Sequence, residues 1–408
     1  PRYGSNEEYA ALAERARARG MGLIMDMIVN HSGSEHPWMD DLPSADWINH
    51  TGTYTETSHE RTVLQDPYAA PADVTRMADG WFVPTMPDLN QRQPQLGDYL
   101  IQNALWWIET LGLSGIRMDT YPYPDKRFMT RWTARVMAEY PAFNIVGEEW
   151  SLNPAVVSYW QRGKVNRDGY VSHLPSLMDF PNQDALRRAL TEPEQPHASG
   201  FLHLHRMLAN DVLYPDPGAL VIFADNHDMS RIYTQLEHNL PRWKMAMAWL
   251  LTMRGVPQVY YGTEVLMANP GTDDHGVIRS DFPGGFGGRS PNAFTGKGLS
   301  ANATEARSFL RTLLRWRRDA DVVHHGKLMH FVPRDGVYTW ARYDGAHTVF
   351  VILNKNTEAT TLDLARFDDV LAGVKRWRNV MTDVVIDRPP ALELNGPGPL
   401  IFETAPER

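Results

Sequence analysis

Six short apolar runs, near residues 23–29, 114–119, 143–148, 173–179, 219–225 and 257–261, alternate with stretches of helical apolar spacing. Strands joined through helices need long crossovers, so they pair in parallel, and this many units in succession predict a (β/α) barrel. Such a barrel takes eight strands, whereas this chain supplies six and opens on a helix, "SNEEYAALAERARAR". The fold class expected is therefore α/β: a (β/α)8 TIM-type barrel, incomplete because its first strands are missing from the N-terminally truncated chain. The strands near 23–29 and 257–261 would then expose unpaired edges and apolar faces, and the chain alone is expected to self-associate and be nearly inactive.

Local signals place the elements. Ser5 and Glu8 form a capping box, with Gly20 as the stop. The run "GLIMDMIV" reads as a strand buried on both faces. Residues 32 to about 96 are rich in Pro, Asp and Trp and too long for a simple loop, which predicts an inserted subdomain. Leu100, Ala104, Trp107 and Leu111 share one stripe of the helix that follows. A later helix takes Asn302 as its expected N-cap and buries Phe309, Leu313 and Trp316. Beyond residue 321 the pattern turns to short strands, and "VYTWARY" and "HTVFVIL" flank Asp344-Gly345, a hairpin signal. The division expected is residues 1–321 for the barrel and 322–408 for a C-terminal antiparallel β-sandwich.

Composition closes off several function classes. A formal charge of -9 with scattered Lys and Arg argues against a nucleic-acid partner. No run of about 18 apolar residues exists, so no membrane-spanning helix is expected. Cysteine is absent, which excludes disulfides and thiolate metal sites.

In a (β/α) barrel the chemistry gathers at the C-terminal strand ends. Those ends carry Asp26, Asn30 and His31; Arg117 and Asp119; Glu148; and Asn226, His227 and Asp228. So many ionisable groups at one mouth are costly in repulsion and desolvation, which favours function over structure. Arg117 and Asp119 stand two apart on a strand and share a face, so the arginine favours the ionised carboxylate. Glu148 ends an apolar strand beside Trp150, a setting expected to keep its proton available, while Glu149 points the other way and is expected to be solvated. An anionic nucleophile paired with a carboxylic acid is what retaining glycosidic cleavage needs. Asp119 suits the nucleophile, Glu148 the acid and Asp228 a third carboxylate stabilising the oxocarbenium-like charge, with His31 and His227 as donors to sugar hydroxyls. No H-E-x-x-H or close His pair points to a metal, and no G-x-S-x-G elbow points to a serine triad. "FPGGFGG" is expected to be a loop at the barrel rim and not a phosphate cradle.

"DMIVNH", "GIRMDTYPY", "VGEEW" and "FADNHD" resemble, in order and spacing, four signature regions of the α-amylase family of retaining glycoside hydrolases, and "MPDLN" resembles its fifth. The resemblance implies Asp119 as nucleophile, Glu148 as acid/base and Asp228 as transition-state stabiliser. His31, Arg117 and His227 would line the subsite for the non-reducing sugar, Asn226 would contact substrate beside them, and Tyr121 would shape the aglycone side. Residues 32–96 would be the family's domain B and the C-terminal sheet its domain C. Thr120-Tyr121 stands where many endo-acting members have Lys-His, whose His binds the family's calcium; this counts against calcium although Asn30 is kept, and no other cofactor is implied. "DTYPY" with "RSDFPGGF" is similar to the neopullulanase and cyclomaltodextrinase type of some Gram-negative bacteria. The substrate implied is a cyclodextrin, pullulan or maltooligosaccharide cleaved at α-1,4 bonds, in a periplasmic or secreted enzyme that could dimerise when whole. An exo-acting α-glucosidase, a transglycosylase and a non-catalytic sugar-binding relative stay open as alternatives.

Overall fold

The computed structural model describes residues 3–286 and 290–405. Its contacts sort into two compact units, Pro1–Met178 with Val212–Val221, and Asp179–Asp211 with Ile222–Arg408.

In the first unit four strands, β1 (Ile24–Met27), β2 (Gly115–Met118), β3 (Asn144–Gly147) and β4 (Ser176–Leu177), lie side by side in chain order, all parallel. Sequential order with helical crossovers is the wall of a (β/α) barrel. The first helix, Asn6–Arg17, starts on the expected capping box: Glu8 N donates to Ser5 Oγ, and Ser5 N to Glu8 Oε2. The helix Pro94–Leu111 buries Leu96, Leu100, Ala104 and Leu111 and ends at Gly112, whose φ of 58° a side chain would resist. β1 is the edge of its sheet, as expected for the strand near 23–29, and Ile24 and Ile28 are exposed, so the reading as a strand buried on both faces does not hold.

The inserted segment is short turns plus one helix, Pro71–Asp79. Trp47, Ile48, Leu64, Met77 and Trp81 from it share an apolar core with Ile116, Met118, Ile145 and Leu177 of the strands. Gln91 Nε2 donates to Val29 O at 2.9 Å, fixing the end of the insertion beside the residues that follow β1.

β5 (Val221–Phe223), whose first residue ends the first unit, pairs with β6 (Val256–Gln258), and Val256 is exposed. The helix Leu240–Thr252 is buried almost all round, and Ala301–Arg318 packs beside it. Its N-cap is Ser300, accepting from Ala303 N, and not Asn302, which is its second residue. The C-terminal strands are β7 (Lys327–Arg334), β8 (Val337–Tyr343), β9 (Thr348–Asn354), β10 (Thr360–Asp363), β11 (Arg376–Asn379), β12 (Val385–Asp387), β13 (Ala391–Leu394) and β14 (Gly398–Thr404). Six form an antiparallel sheet in the order β12-β11-β14-β9-β8-β7, and β10 pairs with β13. Asp344 and Gly345 turn β8 into β9, with Asp344 Oδ1 accepting from Ala346 N and His347 N. Tyr338, Trp340, Val349 and Val351 on one face join the cluster of the two long helices; Ala341, Phe350 and Ile352 on the other join Phe367 and Leu394. That shared cluster is why contacts alone do not part the C-terminal sheet from the helices before it. Among the described residues no helix is long and apolar enough to cross a membrane.

Candidate active site

The first unit builds its cluster on register. In the parallel pair β1–β2, Asp26 lies opposite Arg117, so their side chains stand together on one face. Arg117 Nη1 donates to Asp26 Oδ1 at 2.7 Å and to Asp119 Oδ1 at 2.9 Å, and Nη2 lies 2.8 Å from Glu148 Oε1. Burial alone would favour loss of the Arg117 proton, but the charges of Glu148 and Asp26 outweigh it and hold the guanidinium well above its ordinary pKa. Arg117 is therefore a permanent cation shared by three carboxylates.

Backbone bonds fix the two strand ends against each other. Asp119 N donates to Met27 O and Glu148 N to Met118 O, each at 3.0 Å. Thr120 then takes φ 47°, a left-handed conformation that a β-branched residue resists. The turn this makes points Thr120 N at Glu148 Oε2, 3.0 Å away, and lets Tyr121 N donate to Glu148 O. Glu148 is thus held by a cation and an N–H. Its side chain is 8% exposed against 19% for Asp119. His31 leans on Phe82, ring centres 5.7 Å apart, and its Nδ1 is 3.3 Å from Asn30 Nδ2. Burial pushes the His31 pKa below its ordinary value, with the Asp119 charge opposing, so the ring is neutral at pH 7.

Two expectations fail here. Tyr121 is fully buried, edge-on to Trp160 at 5.7 Å, so it shapes the core and not the aglycone side. Glu149 is not solvated: it is buried, ion-paired to Arg61 Nε at 2.8 Å, and accepts from Trp160 Nε1 at 3.0 Å. Burial raises its pKa and Arg61 opposes the shift.

The second unit carries the remaining residues after β5. Asn226 is buried, and its Oδ1 accepts from Asp228 N at 2.9 Å, so it shapes the turn that presents Asp228, while its Nδ2 has no hydrogen-bond partner among the described residues. His227 Nε2 lies 3.0 Å from Asp228 Oδ2. Arg279 donates through Nη2 to Asp228 Oδ1 and through Nε to His227 O at 2.9 Å. Arg279 and Thr120 are contacts that sequence reasoning missed. Arg279 lies inside the quoted "RSDF" pattern, but its partner is far along the chain; Thr120 was marked only as a replacement for the Lys of Lys-His, not as a contact to Glu148. The glycine-rich loop 282–288 lies partly outside the described residues.

A calcium ion takes six to eight oxygens. Among the described residues no group of three or more His, Cys, Asp and Glu is placed to hold a metal. Asn30 Oδ1 is a buried oxygen without a hydrogen-bond partner, but the Asp88 carboxylate is engaged by Asn49 Nδ2 at 2.8 Å.

The family model described as alpha amylase, catalytic domain, matches residues 1–309, and that of the cyclo-malto-dextrinase C-terminal domain matches residues 328–403. A cyclomaltodextrin glucanotransferase of Bacillus licheniformis is 25% identical over 395 residues, covering 93% of this chain and 50% of the relative. A cyclomaltodextrinase of Geobacillus thermopakistaniensis is 25% identical over 376 residues, 89% of this chain and 56% of the relative. The chain thus spans about half the length of these curated relatives. The crystal structure of an alpha-amylase from Geobacillus thermoleovorans superposes with a TM-score of 0.79 at 24% identity, covering 100% of this chain and 82% of that one, which shows the fold. On the match over residues 1–309, the chain belongs to the alpha-amylase catalytic-domain family.

Proposed function

We propose that the protein is a retaining glycoside hydrolase that cleaves α-1,4-glucosidic bonds of cyclodextrins, pullulan and maltooligosaccharides by double displacement. The observation that carries this reading is the shared guanidinium: Asp119 and Glu148 engage adjacent nitrogens of Arg117. The two carboxylates thus meet at one cation, and a retaining pair works at a separation of roughly 5–5.5 Å. Asp119, the more exposed, attacks the anomeric carbon and expels the leaving sugar as Glu148 protonates its oxygen. Water then hydrolyses the glycosyl-enzyme with Glu148 as base. Asp228, oriented by Arg279 and His227, stabilises the positive charge of the transition state. His31, neutral, and His227 donate to sugar hydroxyls.

The C-terminal match to the cyclo-malto-dextrinase domain supports small or cyclic α-glucans over long starch. Thr120-Tyr121, standing where calcium-binding members carry Lys-His, supports activity without calcium, so EDTA is expected to leave the rate unchanged. A periplasmic or secreted site of action and a dimeric intact protein belong to the same reading, tested by fractionation and size exclusion. Transfer to a sugar acceptor is the second reading, favoured by the glucanotransferase relatives and separated by product analysis. The experiment that tests the mechanism is early-time NMR of the products: the α-anomer must appear first, and initial β-anomer would exclude double displacement.

A further inference from the structure

Arg61 comes from the inserted segment, yet it grips the strand end that carries Glu148. Its Nε lies 2.8 Å from Glu149 Oε1, its Nη2 donates to Trp150 O, and its Nη1 donates to Tyr123 OH at 3.3 Å. Glu149 and Trp150 directly follow Glu148. Tyr123 is just as telling, because Tyr123 N donates to Thr120 O and closes the turn whose Thr120 N holds Glu148 Oε2. One guanidinium thus braces Glu148 twice, through the backbone after it and through the turn that bonds its carboxylate. His59 Nδ1, 3.1 Å from Tyr123 OH, and Phe82, packed on both rings, complete the brace from the insertion. The Arg61 side chain is 24% exposed and that of Glu149 0%, so this is a desolvated, geometrically fixed pair and not a surface contact.

We propose that Arg61 is a positioning residue for acid catalysis: it sets Glu148 for proton delivery to the leaving sugar without touching substrate. The proposal rests on the hydrolase reading above. It separates Arg61 from a residue that merely stabilises the insertion, because proton delivery matters only when the leaving group needs a proton. A sugar alkoxide needs one; fluoride leaves without it.

The test compares kcat/KM, which reports the glycosylation step, on maltotriose and on α-maltosyl fluoride, for the intact enzyme and its Arg61→Met variant. Loss of a positioned general acid predicts a fall of at least about tenfold on maltotriose and less than about threefold on the fluoride. Arg61→Lys, which keeps the charge but cannot make all three contacts, is expected to fall between wild type and Met on maltotriose. Because Arg61→Met leaves Glu149 buried without its partner, the double variant Arg61→Met with Glu149→Gln removes both charges and keeps the experiment decisive if the single variant does not fold. Equal losses on the two substrates in a folded variant would overturn the role of Arg61 alone. Wild-type enzyme that turns over neither substrate would overturn the hydrolase reading and this proposal with it.

Discussion

Arg279 Nη2 donates to Asp228 Oδ1 and its Nε to His227 O, so one side chain orients the third carboxylate by both its head and the backbone before it. A hydrogen bond between charged groups contributes about 1.5–3 kcal/mol. Arg279→Met is therefore expected to lower kcat/KM by about ten- to a hundredfold, since each 1.36 kcal/mol is tenfold in rate. The fold should be kept, because Arg279 is 44% exposed. Steady-state kinetics on a maltooligosaccharide, with circular dichroism as the control, check this; unchanged kcat/KM would remove Arg279 from the site.

Acid stability is the second expectation. His330 stacks on His205, centroids 4.5 Å apart, with its Nδ1 2.8 Å from Tyr338 OH. Burial, with the His205 charge adding, pushes its pKa from 6.5 down to about 4. The unfolded chain then takes up a proton before the folded one does, so stability falls as pH drops from about 6.5 to about 4 and levels off below. His330→Gln should flatten this part of the Tm–pH curve; a variant curve parallel to wild type would contradict it.

Substrate preference is the third. With "MPDLN" present and Thr120-Tyr121 in place of Lys-His, kcat/KM on cyclodextrin or pullulan should equal or exceed that on soluble starch. A clear preference for starch would move the protein toward the ordinary endo-acting members.

How far the sequence spoke depended on the range of each interaction. Strand ends were readable because alternation is local: Arg117 and Asp119 do share a face and a bond. The resemblance placed Tyr121 on the aglycone side, but Thr120 at φ 47° turns the chain and sends the ring into the core beside Trp160. Glu149 was placed on the correct opposite face but wrongly taken as solvated, since the reverse face of a barrel strand is packed. Its cation, Arg61, lies 88 residues away, as Arg279 lies 51 from Asp228. No periodicity carries such pairings; the fold alone creates them.

The central claim is that Asp119 forms the glycosyl bond. Asp119→Asn should lower kcat by at least about three orders of magnitude with Tm little changed. The most direct measurement is to trap the intermediate with a slowly turned-over fluorinated α-glucosyl fluoride and map the adduct by mass spectrometry. The account predicts a single adduct on the peptide carrying Asp119; an adduct on Glu148 or Asp228, with Asp119 unmodified, would contradict it.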